Sequence, residues 1–146
     1  MRLAPRGQGS GEQYVRERYP IEVAYYRDRS ARRKAALMVG LDADAGTVEQ
    51  HERELDEALI GAGGVRREPA EQIALLIPKR NIETWVLCLS REVVDEATNY
   101  KGTRNIVDMI KPAAGTLREW SRTGSTVPPS CIPSLRKGLI EVRRIG

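Results

Sequence analysis

Two continuous apolar runs, KAALMVGLDAD (34–44) and QIALLIPK (72–79), constrain the fold of this chain more than any other feature. Neither alternates polar with apolar residues, so each reads as a strand buried on both faces, the pattern of a parallel sheet. Between them, TVEQHERELDEALIGAGG (47–64) has helical spacing. Thr47 and Gln50 match a capping box, Val48, Leu55, Ala58 and Leu59 form an apolar stripe, and Gly63–Gly64 end it. Strand, helix and strand in that order predict a small α/β domain with a mostly parallel sheet flanked by helices.

The flanking segments read as helices and turns. LAP (3–5) is a short apolar fragment, and the GQGSG turn (7–11) lacks the GK[ST] of a phosphate-binding P-loop. Residues 10–29 carry Ser10 and Gln13 at capping-box spacing, with Tyr14, Val15, Ile21, Tyr25 and Tyr26 as apolar positions. Pro20 should kink or restart that helix. After the second run, 81–90 reads as a short helix with Asn81 as its N-cap, and 91–103 as a loop. Residues 105–122 read as helical but broken into two pieces by Pro112 and Gly115. A turn-rich linker (123–133) then leads to a C-terminal helix over 133–145, with Pro133 at its start.

Composition narrows the function classes. A length of 146 residues suits one domain with a single core. No apolar run approaches the roughly 20 residues of a membrane span, and the N-terminus lacks the apolar region of a secretory signal. The two cysteines, Cys88 and Cys131, have no CxxC spacing and His51 is the only histidine, which argues against a zinc site. A reduced, cytoplasmic setting fits, with Cys88 as a small core residue. His51, inside EQHERE, reads as a solvated surface residue and a poor general base. Charge is unevenly spread: residues 1–34 carry nine Lys/Arg against four acids, 35–114 nine against fourteen, and 115–146 six against two. An acidic middle between basic ends suits a site that holds cations at its centre and polyanions at its rim, although solvated arginine-rich helix faces give the same totals.

The chemistry-bearing residues gather at the ends of the two runs. Asp42 and Asp44, two apart, project to the same side if the strand persists that far. Ligands of parallel α/β sheets collect outside the carboxyl ends of the strands, and two hard oxygen donors there suit Mg²⁺ or Mn²⁺. The competing reading is that the aspartates punctuate the end of a buried strand before a turn; both readings stand on the residues alone. In IPKRNIETWV (77–86), Lys79 and Arg80 close the second strand and Glu83 falls in the first turn of the next helix. Glu83 either complements the helix dipole or adds a third acid to the site, with Lys79 and Arg80 meeting phosphates. Trp85 shares its helix with Ile82, Val86 and Leu89 and reads as core.

A buried strand ending in DxD, a helix, and a strand ending in IPKRNIETW resemble the Toprim-like fold, in particular small prokaryotic Toprim-related proteins found beside defence genes. The resemblance covers roughly residues 3–90, a Toprim-like α/β core over 1–90, and leaves 91–146 as a helical C-terminal extension packed on the same domain. It implies that Asp42 and Asp44 bind divalent metal. It also implies a glutamate ending the family's first strand, which would lie upstream of Met1 together with the first helix; the family motif does not itself specify Glu83, which is the acid of this chain expected to substitute as the catalytic third one. The expected activity is Mg²⁺- or Mn²⁺-dependent phosphodiester processing, by a nuclease acting on DNA or RNA, in prokaryotic defence. The other expectations are a non-catalytic nucleic-acid or nucleotide-binding module, or a protein-interaction module. An unpaired sheet edge would favour a homodimer or a partner protein, and no membrane.

Overall fold

The structure, a computed structural model, describes residues 11–146; the LAP fragment, the glycine-rich turn up to Ser10, and the Ser10 cap lie outside them. Seven elements follow in order: α1 (Gly11–Ser30), β1 (Leu37–Gly40), α2 (Val48–Gly61), β2 (Ile73–Leu76), α3 (Ile82–Leu89), α4 (Val107–Ser121) and α5 (Pro133–Ile145). β1 and β2 pair in parallel, Leu37 opposite Ile73 through Gly40 opposite Leu76, with α2 as the crossover. The described residues therefore form a mixed α/β structure with a two-stranded parallel sheet. No helix among the described residues is long and apolar enough to cross a membrane.

Two apolar clusters lie on either side of the sheet, because successive strand residues face opposite ways. The first joins Tyr19, Val23 and Tyr26 of α1 and Leu55 and Leu59 of α2 to Val39, Ile73 and Leu75. The second joins Trp85 and Leu89 of α3, Ala113 and Trp120 of α4, and Leu135 and Leu139 of α5, with Leu76 against it. Cys88 and Cys131 are free and buried in this second cluster. Trp85 donates its indole N–H to Ser134 Oγ at 2.9 Å, and a Cβ at Gly138 would collide with the Trp85 ring. Glycine there lets α5 approach α3 closely.

The sheet has two unlike edges. On the outer side of β2, Arg67 donates to the Ile73 carbonyl at 2.8 Å, and Glu141 accepts from the Leu75 N–H at 2.9 Å. Arg67 and Glu141 are also paired with each other, their side chains 13% and 7% exposed. Burial opposes ionisation of Glu141, but the guanidinium and the Leu75 amide together hold its carboxyl below the usual range. A buried ion pair thus satisfies the edge of β2 as a neighbouring strand would. The edge of β1 instead borders a groove of about 630 Å³ shared with α1 and lined by Tyr14, Arg18, Tyr25 and Leu37–Gly40.

Several sequence expectations change. The first apolar run forms a strand only over Leu37–Gly40, and it is not buried on both faces: Val39 is buried while Met38 is 56% exposed. α5 covers β2, so the second cluster does not shield β1 to the same depth. Pro20 neither ends nor restarts α1, which runs through it with buried Tyr19, Val23 and Tyr26. Pro112 and Gly115 likewise do not divide α4; one helix carries Ala113 and Trp120 into the second cluster. In both helices, apolar anchoring on each side of the proline outweighs the missing amide bond.

Candidate functional site

Beyond β1 the chain leaves the sheet but stays tied to its neighbour. Ala43 N donates to the Pro78 carbonyl and Asp44 N to the Arg80 carbonyl, both at 2.9 Å. Asp44 and Arg80 pair as an isolated antiparallel bridge, and both have left-handed backbone, with φ of 46° and 73°. Non-glycine residues seldom adopt this conformation, and where they do the surrounding structure holds them there. The turn is closed by Gly46 N donating to the Ala43 carbonyl at 2.8 Å, and Lys79 Nζ donates to the Gly46 carbonyl. Thr47 then caps α2, its hydroxyl accepting from Gln50 N at 3.0 Å.

Asp42 lies near enough to Asp44 and Glu83 at the carboxyl edge of the sheet to feel their charges, but among the described residues the three do not bring their carboxylate oxygens within 4.8 Å of one another. Asp42 carries the consequence: burial, then the charges of Asp44 and Glu83, push its carboxyl up to about 6. The Ile82 N–H at the start of α3 and the Lys101 charge pull the other way. None of the three acids forms an ion pair among the described residues, where every close ion pair involves other carboxylates. The strand does not persist to Asp44 as the spacing argument required; the left-handed turn, not the pleat, sets where that side chain goes.

The basic residues divide. Lys79 is half-buried and spends an ammonium proton on the Gly46 carbonyl, so it fastens the aspartate loop. Arg80 makes no ion pair among the described residues and lies beside Asp44 in the bridge. Asn81 occupies the N-cap position of α3 without a side-chain cap bond. Its amide, in a residue only 2% exposed, instead donates to Asn99 Oδ1 at 2.7 Å, while its Oδ1 accepts from the Thr84 hydroxyl at 3.3 Å. Asn99 Oδ1 also accepts from Lys101 N at 3.0 Å. Through this buried asparagine the loop after α3 brings Lys101 toward Asp42, a contribution that loop composition alone did not reveal.

His51 departs furthest from expectation. It is not a solvated surface residue: it is 4% exposed, and its Nε2 lies 3.1 Å from the Ala43 carbonyl between the two aspartates. A sequence signal existed, since 48, 51, 55 and 59 fall on one helical stripe and all four residues are buried. On its other side, His51 Nδ1 faces Glu54 and Glu12.

No protein-family model matches this chain, and none of the curated proteins or solved structures compared with it matches either.

Proposed function

We propose that this chain is a Toprim-like, divalent-metal-dependent protein that processes phosphodiesters, most simply as a nuclease acting on DNA or RNA. The observation that carries the reading is Asp42, half-buried at the carboxyl edge of parallel strands, its carboxyl pushed up to about 6 by burial and by the charges of Asp44 and Glu83, with none of the three ion-paired among the described residues. A carboxylate desolvated by burial and set near two other acids is favoured as a ligand, because a bound cation relieves both costs. The donor set is all hard oxygen, which fits Mg²⁺ or Mn²⁺ and not a thiophilic ion.

Each residue has a defined part in this reading. Asp42 and Asp44 supply the metal ligands, and the Ile82 N–H fixes one Asp42 oxygen so that the other can turn toward the ion. Glu83 is the acid placed to take or return a proton at the reacting oxygen. Arg80 meets a substrate phosphate at the rim, Lys101 adds charge from the loop, and Lys79 holds the loop in position. A divalent cation bound there would activate water and neutralise charge on the phosphodiester.

The test is cleavage of single- and double-stranded DNA and RNA with Mg²⁺ or Mn²⁺, for the native chain and for the Asp42→Asn, Asp44→Asn double variant. Metal-dependent cleavage lost in the variant is the expected result. Salt-sensitive binding without cleavage would replace it with a non-catalytic nucleic-acid module. Neither binding nor cleavage would leave an interaction domain.

A further inference from the structure

The cluster on the far side of Ala43 differs in chemistry from the one just described. Glu12 of α1 and His51 and Glu54 of α2 bring one imidazole nitrogen and two carboxylate oxygens within 4.8 Å of one another. His51 Nδ1 is buried and has no hydrogen-bond partner among the described residues. It lies 3.3 Å from Glu54 Oε2 and 3.6 Å from Glu12 Oε1. We propose that Glu12, His51 and Glu54 form a second metal site, for a divalent transition ion of the zinc class, that clamps α1 to α2.

Three observations support this over a simple ion pair. The first is spacing. A tetrahedral ion with ligand distances of about 2.0–2.2 Å sets its ligand atoms roughly 3.3–3.6 Å apart. A protonated imidazole bonded directly to a carboxylate would sit closer, at about 2.7–2.9 Å. The observed 3.3 and 3.6 Å match the shared-ion spacing.

The second is tautomer control. His51 Nε2 donates to the Ala43 carbonyl at 3.1 Å, which places the neutral ring's lone pair on Nδ1, facing the carboxylates. Metal-binding histidines characteristically give their other N–H to a carbonyl or carboxylate in this way. The third is orientation of the acids. Gln50 Nε2 holds Glu54 Oε1 at 3.1 Å and leaves Oε2 toward the imidazole. Arg16 Nη2 donates to Glu12 Oε1 at 2.9 Å, the same oxygen that faces His51, so Glu12 reaches the ion either through that oxygen's second lone pair or by turning Oε2 inward. With a neutral imidazole, two carboxylates and Arg16, the cluster carries one net negative charge, which a divalent ion offsets.

The donor set selects the ion. One imidazole with two carboxylates is softer than an all-oxygen site, so it favours Zn²⁺ or Co²⁺ over Mg²⁺. Three protein ligands leave a fourth position for water. The expectation against zinc rested on cysteine spacing and on the single histidine, and neither signal reveals Glu12, which arrives from another helix.

The test uses the full chain carrying Asp42→Asn and Asp44→Asn, so that the neighbouring acidic cluster does not contribute. Zn²⁺ binding is followed by calorimetry and Co²⁺ binding by visible absorption. The expected result is one equivalent taken up, with the absorption of four-coordinate Co²⁺, and at least about tenfold weaker binding when Glu12→Gln or Glu54→Gln is added. Both added changes are at partly exposed positions and spare the buried imidazole. Nitrogen-15 NMR of His51 should show Nδ1 shifting on Zn²⁺ addition. No stoichiometric uptake, uptake unaltered by both glutamine changes, or an Nδ1 proton that Zn²⁺ fails to displace would each overturn the proposal.

Discussion

The two acidic clusters on either side of Ala43 differ in what they offer a cation. Asp42, Asp44 and Glu83 present only oxygen, at a sheet edge beside the start of α3, with Asp42 half-buried and its carboxyl raised. Glu12, His51 and Glu54 add a buried nitrogen and join two helices. One backbone carbonyl connects them, since Ala43 accepts from His51 on one side and lies between the two aspartates on the other. Proximity therefore does not make one site of them: hard donors at an open edge select one class of ion, and mixed donors between helices another.

The largest effect expected from separating the two belongs to the Asp42→Asn, Asp44→Asn variant. Cleavage should fall by at least roughly 100-fold, the loss that outer partners of a metal site can already cause. Equal cleavage by the variant and the native chain in Mg²⁺ would remove the oxygen cluster from the chemistry.

Gly46→Ala should disturb both clusters together. A Cβ there would lie 2.9 Å from His51 Nε2 and 3.3 Å from the Ala43 carbonyl. Overpacking of this kind costs about 1–3 kcal/mol, readable in urea denaturation. A variant as stable as the native chain would show that the shared turn yields freely.

A third experiment isolates Asp42 by pH. Its carboxyl titrates near 6 in the folded chain, above the unfolded value, so the folded state binds more protons between the two. Stability from this group is thus present below about pH 4 and lost as pH rises through 6. Asp42→Asn without metal should stabilise the chain by about 1–2 kcal/mol at pH 8, discounted for solvent screening, and not at all near pH 3.5. A gain of the same size at both pH values would contradict the assignment. Metal binding at this cluster should weaken as pH falls through 6, because the proton competes for the ligand.

The smallest effect separates a tether from a phosphate contact. Lys79→Met removes the bond to the Gly46 carbonyl and should cost about 0.5–1.5 kcal/mol in thermal or urea unfolding. If Lys79 acts on substrate instead, stability will hold and only nucleic-acid affinity will change.

Much of the fold was legible because local signals agreed with one another. The two apolar runs became the paired strands, Thr47 caps α2 through the Gln50 amide while the Gln50 side chain turns to Glu54 instead of completing the capping box, and Pro133 opens the last helix. What the sequence concealed depends on distance along the chain. Glu12 lies 39 residues before His51, and no spacing rule joins them. Pro112 misled, and Pro20 did not restart its helix, because a proline is a local penalty, whereas the Tyr19, Val23, Ala113 and Trp120 contacts that outweigh it are tertiary. The pairing of Asp42 and Asp44 was argued from an alternation that ends at Gly40; where Asp44 goes is set by a turn with positive φ that aspartate tolerates better than most residues.

The Arg67–Glu141 pair gives this small sheet a direction of growth. With the Ile73 carbonyl and the Leu75 amide already engaged by side chains, a further strand cannot add beside β2 without first displacing a buried ion pair. Losing one member of such a pair costs about 3–5 kcal/mol, more than a short strand regains through its ladder. Enlargement of the sheet, by this chain or another, is therefore directed to the β1 side, next to the loop that carries Asp42. Any strand that joins there extends the same carboxyl edge on which the aspartates stand.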